Sequence, residues 1–405
     1  MDPISGRAFL VASGVKIIAI FTIVMVLVAA WTLVERKVCA WMQNRLGPNR
    51  VGPWGLLQPA ADGLKNILKE ETLPPFASKG LFVLAPMLAF IPALMTFSII
   101  PIASPLPTPW GLVHMAIADV PVGFLFIFAV ASLGVYGIAI AGWSSNNKYS
   151  LLGGLRASAQ LISYEIAMGL SGVAVLVLAG NITPAEIIAR QQQGHAWYVF
   201  TLFVAFIIFL IASYAETNRL PFDMPEAESE LVAGYHSEYS AMKFSMFFIA
   251  EYANMLTASA LIVVLFFGGW DIPFVQWDNA APWTAAKTAA TFGMFWMKTL
   301  FFYFMYIWVR WTLPRFRFDQ LMDLGWKVML PIALAYVMIV AVVIAILESR
   351  GITYGFRQNL YLGIVSVVLG LALLFILDRG RIVGGASSRA RTTWRAEAVS
   401  HIGGD

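Results

Sequence analysis

Nine long apolar runs, separated by polar loops, set the pattern of the chain. They fall near residues 14–34, 81–101, 119–142, 159–179, 197–215, 245–267, 289–310, 329–347 and 359–377. Each is close to the roughly 20 residues that an α-helix needs to cross about 30 Å of hydrocarbon. The first run is too long for the apolar core of a signal peptide, so we interpret it as a retained helix. The pattern predicts an all-α integral membrane protein, a polytopic bundle of about nine transmembrane helices.

A further helical pattern lies in the polar segment after the first run. The stretch LLQPAADGLKNILKEE follows RLGPNRVGPWG (residues 45–55), which is interrupted by Gly and Pro. Its apolar residues recur at helical spacing: Leu57, Ala60, Ala61, Leu64, Ile67 and Leu68. This spacing predicts an amphipathic helix that lies at the membrane interface or covers the mouth of a cavity.

The composition supports a membrane protein and limits its chemistry. The chain is 59% hydrophobic and 12% charged, whereas a soluble domain carries about 25% charged residues. Its one cysteine, Cys39, excludes an intrachain disulfide and an all-cysteine iron–sulfur site. The four histidines show no metal-ligand spacing, and no nucleotide-binding glycine motif follows a strand-like run. We therefore expect no catalytic or metal site here, and any redox cofactor to be held elsewhere.

The distribution of basic residues predicts the orientation. Of the 27 Lys and Arg residues, 20 fall in the loops and tail on one side, six on the other, and Lys298 lies inside a helix. Basic loops face the cytoplasm, so the N-terminus is predicted outside and the C-terminus in the cytoplasm. The net charge of +4 thus reflects membrane topology rather than nucleic-acid binding. We divide the chain into a membrane domain, residues 1–378, and a basic cytoplasmic tail, residues 379–405.

The presence of ionisable residues within the apolar runs needs an explanation, because inserting a charge at the bilayer centre costs about 2.5–3.5 kcal/mol on insertion scales. Glu165 and Glu251 lie in the fourth and sixth runs, and Glu216 stands at the cytoplasmic end of the fifth. Each could simply be paired within the bundle. Lys298 lies near the outer end of the seventh run, where a snorkelling side chain is the simpler prediction.

The segment LPFDMPEAESELVAG (residues 220–234) concentrates negative charge beside the apolar runs. It holds four carboxylates: Asp223, Glu226, Glu228 and Glu230. Apolar neighbours and mutual repulsion favour protonated carboxyls, so such groups titrate together with raised pKa values. A solvated surface loop is the alternative. The relay hypothesis predicts a proton path from this segment through Glu216 to Glu251 and Glu165.

Two pairs of opposite charges stand out in the basic segment after the first run. Glu35 and Arg36 lie together at the end of a helix, and Asp62 and Lys65 lie one turn apart. Anchoring of basic loops at the cytoplasmic face explains most Lys and Arg residues here. It explains these two pairs less well, because charges of both signs are placed against apolar surface.

Four segments of the chain resemble loops of one known family. They are PFDMPEAESELVAG, GLLQPAADGLKNILKE, ERKVCAWMQNRLGPNRVGP and PRFRFDQLMDLGWK. Their order and predicted topology are similar to those of the subunit 1 family of respiratory complex I, the proton-pumping NADH:quinone oxidoreductase; in bacteria this is the H subunit. The resemblance runs from about residue 15 to about residue 347.

The resemblance implies a function and a set of site residues. It implies a subunit at the junction of the membrane arm and the peripheral arm, in the inner (plasma) membrane. The residues expected along or near the quinone cavity are Glu35, Arg36, Arg45, Asp62, Lys65, Glu226, Glu228 and Arg315. Those expected on the proton path are Glu165, Glu216, Glu230 and Glu251. The substrate would be menaquinone or ubiquinone, and FMN and iron–sulfur clusters would belong to partner subunits.

One feature departs from the family, and two alternatives stay open. The family usually has eight helices, whereas this chain adds a ninth run and the basic tail. A homologous membrane subunit of an energy-converting hydrogenase would share the acidic segment without holding quinone. A secondary transporter would place broken helices at mid-membrane in repeated halves. The amphipathic helix, the basic loops and the cytoplasmic position of the unusual residues favour the quinone enzyme.

The predicted orientation can be tested with a reporter fused after residue 405. We expect a reporter that is active only in the cytoplasm to give a signal, because the basic bias and nine crossings place the C-terminus there. The measurement is reporter activity in intact cells, with the same reporter fused to the N-terminus as the control. A C-terminal fusion that is inactive with this reporter, but active with a second reporter that works only outside the cell, would contradict the nine-helix topology.

Overall fold

The chain folds into a helical bundle with one small hairpin. The computed structural model describes residues 6–224, 231–273, 275, 277–279 and 281–378. Its helices are α1 Gly6–Met42, α2 Gln58–Leu68, α3 Lys79–Met95, α4 Gly123–Ser144, α5 Lys148–Ala179, α6 Pro184–Gln193, α7 Tyr198–Thr201, α8 Phe203–Glu216, α9 Ala241–Phe266, α10 Ala285–Thr312, α11 Phe318–Asp323, α12 Leu330–Ser349 and α13 Phe356–Asp378. A π-helical segment, Leu324–Met329, joins α11 to α12, and the antiparallel strands β1 Leu106–Thr108 and β2 Gly111–Val113 form the hairpin.

The predicted fold class is confirmed. Within the described ranges, eight helices are long and apolar enough to cross a membrane, and α8 is a shorter apolar helix of 14 residues. The predicted amphipathic helix is α2, and the ninth predicted run is α13. The division of the chain at residue 378 stays a prediction, because residues 379–405 lie outside the described part.

The fifth predicted run is broken in two. The backbone of Leu202 leaves the helical region (φ −122°, ψ 48°), which separates α7 from α8. A helix of 14 residues extends only about 21 Å. The carbonyl oxygen of Thr201, next to the break, accepts a hydrogen bond of 2.6 Å from the hydroxyl of Ser366 in α13. Helix α13, the ninth predicted run, therefore packs against the rest of the chain and satisfies a backbone carbonyl that the break exposes.

The bundle packs around α9, the most deeply buried helix. Of its most apolar 18 residues, 78% are buried, against 22% in α12 and in α13. Helices α3, α4, α5 and α8 pack side by side, and α9 contacts α3 and α10. Small residues allow close approach: a Cβ on Gly142 of α4 would lie 2.6 Å from the carbonyl oxygen of Ser150 in α5. Such contacts are typical of helices that associate by packing in a membrane.

The prediction that Lys298 snorkels to the membrane surface is wrong. Its side chain is buried, and Nζ donates hydrogen bonds to the carbonyl oxygens of Phe267 (2.7 Å), Gly269 (3.2 Å) and Asp271 (2.6 Å). Its ammonium also lies 4.4 Å from the ring centroid of Trp197. These carbonyls belong to the loop that ends α9, so the lysine ties α10 to that loop. Sequence position alone could not show that unpaired carbonyls lay within its reach.

Candidate functional site

A charged cavity of about 570 Å³ opens where α1, α8 and α10 end. Its wall combines three kinds of side chain. The carboxylates are Glu35, Asp223 and Glu251, the arginines are Arg36, Arg45, Arg219 and Arg310, and the aromatic residues include Tyr235, Phe244, Phe247, Phe248, Tyr252 and Trp311. Cavities of roughly 300–1,000 Å³ with mainly apolar walls and a few convergent polar groups are typical binding sites for small molecules.

Glu35, near the end of α1, is the carboxylate on which most of the charged contacts converge. It is 6% exposed. Its Oε1 accepts hydrogen bonds from Arg219, at 3.1 Å, and from Arg310 of α10. Its Oε2 accepts a hydrogen bond from the hydroxyl of Tyr252 in α9. A buried carboxylate is stable only with such partners, so Glu35 connects three helices to the loop that follows α8.

Arg219 bridges two buried carboxylates. Its Nη1 reaches Glu35, and its Nε lies 2.5 Å from Oε1 of Glu251 in α9. The guanidinium also stacks over the ring of Tyr252, 4.6 Å from its centroid. Although burial acts to lower the pKa of Arg219, the charges of Glu251, Tyr252 and Glu35 raise it overall. The guanidinium therefore stays charged and holds both carboxylates.

The loop that carries Arg219 is held by a side chain of α5. The Nε2 of Gln160, a fully buried residue, donates to the carbonyl oxygen of Ala215 (2.8 Å), to Oδ1 of Asn218 (3.1 Å) and to the carbonyl oxygen of Phe222 (2.9 Å). Asn218 has a left-handed backbone (φ 50°), a conformation that Asn tolerates better than most residues. The chain thus turns sharply after α8 and directs Arg219 back into the bundle.

An arginine on the wall of the cavity links it to α2. Arg36 is adjacent to Glu35 in sequence but pairs with Asp62 of α2 at 2.6 Å. Asp62 also contacts Lys65 at 3.4 Å and accepts a hydrogen bond from Gln58. Partial burial acts to raise the pKa of Asp62, but the hydrogen bond and charge of Arg36 lower it overall. A charged cluster therefore joins α2 to the end of α1.

Two more ionisable groups on the wall come from the segment after α8. The Oδ2 of Asp223 pairs with Arg315 at 2.9 Å. Burial raises the pKa of Asp223, and the charge of Arg315 only partly offsets this. Burial lowers the pKa of His236 to about 4, so its imidazole is neutral at neutral pH. These groups give the cavity a neutral histidine and a carboxyl that is easier to protonate than usual.

Two small cavities continue from the large one into the bundle. The first, of about 60 Å³, is lined by Glu165, Glu216 and Glu251 and shares Asn218, Tyr235, Phe247 and Glu251 with the wall of the large cavity. The second, of about 30 Å³, is lined by Glu216 together with Asn254 and Thr257. Ser132 of α4 donates a hydrogen bond to Glu165. Polar cavities larger than about 15 Å³ can hold water, so carboxylates line a route from the charged cavity inward.

The predicted site residues fall into three groups. Glu35, Arg36 and Arg45 line the large cavity. Asp62 and Arg315 pair with the lining residues Arg36 and Asp223, and Lys65 pairs with Asp62. The inner carboxylates meet at the 60 Å³ cavity, and these are Glu165, Glu216 and Glu251. The other three, Glu226, Glu228 and Glu230, lie outside the described residues.

Sequence reasoning pairs some charges wrongly and misses others. It treats Glu35 and Arg36 as a pair, but neighbouring positions on a helix point in different directions, and each finds another partner. It does not single out Arg219, Arg310 and Tyr252. The only local signal was a basic residue directly before the acidic segment, because their partner Glu35 lies far away in sequence. The other pair, Asp62 and Lys65, is present.

The similarity to known proteins covers most of the chain. A family model described as NADH dehydrogenase matches residues 15–341. The chain belongs to this family. It is 50% identical over 351 residues to the NADH-quinone oxidoreductase H subunit 2 of Koribacter versatilis, an alignment that covers 84% of this chain and 98% of that protein. The NADH-quinone oxidoreductase H subunit of Leptospira biflexa is 48% identical, with 83% and 95% covered, and that of Flavobacterium johnsoniae is 47% identical, with 83% and 96% covered.

These matches confirm the resemblance found in the loop motifs. The family match ends at residue 341, before α13 begins at Phe356. Helix α13 therefore lies outside the part of the chain that the family model matches. The charged cavity and the two small cavities are lined by residues between Glu35 and Trp311, all within the matched range.

Replacing Arg219 with Ala tests the buried network. We expect the Arg219→Ala variant to unfold at a lower temperature in the purified complex, because removing one partner of a buried ion pair costs about 3–5 kcal/mol. The double variant Arg219→Ala, Glu251→Gln should recover part of this loss, since it removes one of the stranded carboxylates. Arg36→Ala is the control, because exposed pairs contribute about 0–1 kcal/mol. Equal losses in the Arg219→Ala and Arg36→Ala variants would contradict the central role of Arg219.

Proposed function

We propose that this chain is the membrane-arm subunit of a proton-translocating NADH:quinone oxidoreductase that forms much of the quinone channel and begins the proton path. The named relatives are subunits of such an enzyme, which supports assembly into the same kind of complex. The observation that carries the proposal is that the charged cavity and the inner cavity lined by carboxylates share a wall. Glu251 lines both the large cavity and the first small one.

The large cavity suits the head of a quinone. Aromatic walls from Phe244, Phe248 and Trp311 can pack against a flat ring. A quinone presents carbonyl oxygens, which need donors. The Nη2 of Arg219 is buried and has no hydrogen-bond partner among the described residues, so it is a donor available for this purpose. Arg36 and Arg45 line the same cavity and would attract a headgroup that gains negative charge on reduction.

The buried network offers a route for coupling. Quinone reduction changes the charge beside Glu35 and Arg219, and both groups interact electrostatically with Glu251. A change in this balance would favour uptake or release of a proton at Glu251, because interacting carboxyls titrate as a set. The 60 Å³ cavity then connects Glu251 with Glu216 and Glu165. The acidic segment at residues 223–230 would supply protons to this route.

The remaining parts of the proposal concern partners and placement. The leucine-rich face of α2 is exposed in the isolated chain: Leu64 by 57%, Ile67 by 63% and Leu68 by 76%. Such a face fits contact with the membrane interface or with a peripheral-arm subunit. FMN and iron–sulfur clusters would belong to that arm. Within the described residues no group of three His, Cys, Asp or Glu side chains is placed to hold a metal ion. The chain would lie in the plasma membrane with its C-terminus in the cytoplasm.

Two other functions can be separated from this one by purification. A membrane subunit of an energy-converting hydrogenase or a secondary transporter would not co-purify with FMN and NADH:quinone activity. We therefore expect the tagged protein, extracted in a mild detergent, to bring down a multi-subunit complex with both. A pure monomer without them would argue for a transporter, and a complex with hydrogenase activity for the other alternative.

Arg36 provides a test of the quinone cavity. We expect Arg36→Ala to lower quinone-dependent NADH oxidation roughly tenfold, because Arg36 lines the cavity and anchors α2 through Asp62. Electron transfer from NADH to ferricyanide should continue, since that acceptor takes electrons upstream. The control is Lys79→Ala, which removes an exposed base at the start of α3 that does not line the cavity. Equal loss of both activities in a fully assembled complex would argue against a local role.

Glu228 and Glu230 provide a test of the acidic segment. The variant Glu228→Gln, Glu230→Gln keeps the side-chain shape and removes two exchangeable protons. We expect it to assemble but to show less quinone-linked proton pumping in proteoliposomes. Surface substitutions usually change stability by less than about 0.5 kcal/mol, so a solvated loop would give no effect. Glu348→Gln, an exposed carboxylate at the end of α12, is the control. Normal pumping by an assembled double variant would show that the relay begins elsewhere.

A further inference from the structure

A second cavity, of about 750 Å³, lies at the opposite end of the bundle from the charged one. It is bounded by the loop between α6 and α7, by residues after α9 and by the start of α13. The charged cavity lies at the C-terminal end of α8, whereas this one contains Thr201, next to the N-terminal end of α8. It therefore has no part in the proposed quinone chemistry. Because α13 lies beyond the family match, this cavity includes a wall that the matched region does not supply.

One end of the cavity is rich in hydrogen-bond acceptors. Asp271 is 8% exposed, and its carboxylate accepts hydrogen bonds from Trp197 Nε1 at 2.9 Å and from Gln192 Nε2 at 3.4 Å. Each carboxylate oxygen can accept more than one hydrogen bond. Asn359 of α13 is 3% exposed, and its Oδ1 has no partner among the described residues. Both carboxylate oxygens of Asp271 therefore have donors, whereas the buried Oδ1 of Asn359 has none. A buried acceptor needs a donor, so the polar end favours a ligand with an N–H group.

The same end is formed by the first turn of α13. Phe356, Asn359 and Leu360 line the cavity there. The N–H of Asn359 already donates to the carbonyl oxygen of Gly355, so the backbone donor that this turn offers the cavity is the N–H of Phe356, the first residue of the helix. The first N–H groups of a helix lack acceptors within the helix and carry a partial positive charge, which favours a phosphate. The polar end thus offers an acceptor for an N–H group and a backbone donor for an anion within a single cavity.

The other end is an apolar groove along α13. Leu360, Ile364, Val367 and Val368 line it, with Phe200 on the facing side. The four α13 side chains are each about half exposed in the isolated chain. From Leu360 to Val368 the groove runs about 12 Å along the helix, most of the roughly 15 Å depth of one hydrocarbon leaflet. Its length and direction suit an acyl chain.

We propose that this cavity binds a phospholipid with a phosphoethanolamine headgroup. The ammonium donates to Asp271 and Asn359, the phosphate meets the first turn of α13, and one acyl chain follows the groove. This site goes beyond the proposed function and does not depend on it. A quinone is a poorer fit, since its carbonyl oxygens are acceptors and would face acceptors. A helix from a neighbouring subunit would bring apolar side chains and leave the Oδ1 of Asn359 without a donor.

The test measures lipid binding to the intact purified complex. The complex is stripped of lipid in detergent and titrated with palmitoyl-oleoyl phosphatidylethanolamine or phosphatidylglycerol, and the bound lipid is counted by native mass spectrometry. We expect phosphatidylethanolamine to bind at one site with at least roughly tenfold preference, because charge-assisted hydrogen bonds are about twice as strong as neutral ones. Asp271→Asn, which keeps an acceptor for Trp197 but loses the charge, should remove this preference.

A pair of matched variants tests the groove. Val367→Trp fills the groove and should prevent retention of this lipid, whereas Val342→Trp, on the exposed surface of α12, should not. The two valines are 49% and 53% exposed, and only Val367 lines the cavity. Equal binding of the two lipids by the unmodified complex, or unchanged retention in both Asp271→Asn and Val367→Trp, would overturn the proposal. So would a photo-reactive residue at position 364 that cross-links to a neighbouring subunit instead of lipid.

Discussion

The ion cluster of Arg219 with Glu35 and Glu251 is the interaction on which the site depends. The three groups are largely withdrawn from water, and a buried charge without a partner costs several kcal/mol. Glu35 comes from α1, Glu251 from α9 and Arg310 from α10, so these helices are held at one end by the guanidinium and its neighbours. Gln160 of α5 positions the loop that carries Arg219. Any movement of one helix therefore changes the balance of charge for the others.

This arrangement explains how one site can serve both proposed roles. The charged cavity and the 60 Å³ cavity that holds the inner carboxylates share a wall, which includes Glu251 and Asn218. In a poorly hydrated interior, electrostatic interactions extend further than in water. A change of charge at the quinone head would thus be felt at Glu251 without movement of a large domain. The proposed coupling needs only this network and the small polar cavities that continue from it.

The opposite end of the bundle follows a different constraint. The break at Leu202 interrupts the helix at residues that are buried in the bundle, so backbone groups there must find partners within the protein. Ser366 of α13 supplies one to Thr201, and Lys298 supplies three to the loop after α9. Helix α13 and a buried lysine thus donate hydrogen bonds to carbonyl oxygens of the non-helical backbone. The same irregularity leaves the cavity for which we propose a lipid.

Local sequence was sufficient to predict the fold class, the positions of the apolar helices, the amphipathic α2 and the presence of carboxylates such as Glu165 and Glu251 within the bundle. Apolar length, periodicity and composition are local properties, so they can be recognised without knowing which helices touch. The pairing of charges, in contrast, depends on tertiary packing. Glu35 pairs with Arg219, 184 residues further along the chain, rather than with the adjacent Arg36. Lys298 turns inward to carbonyl oxygens, and the fifth run breaks where α13 can cover it. Partners in a buried cluster are brought together by helix packing, and no local pattern of residues encodes that.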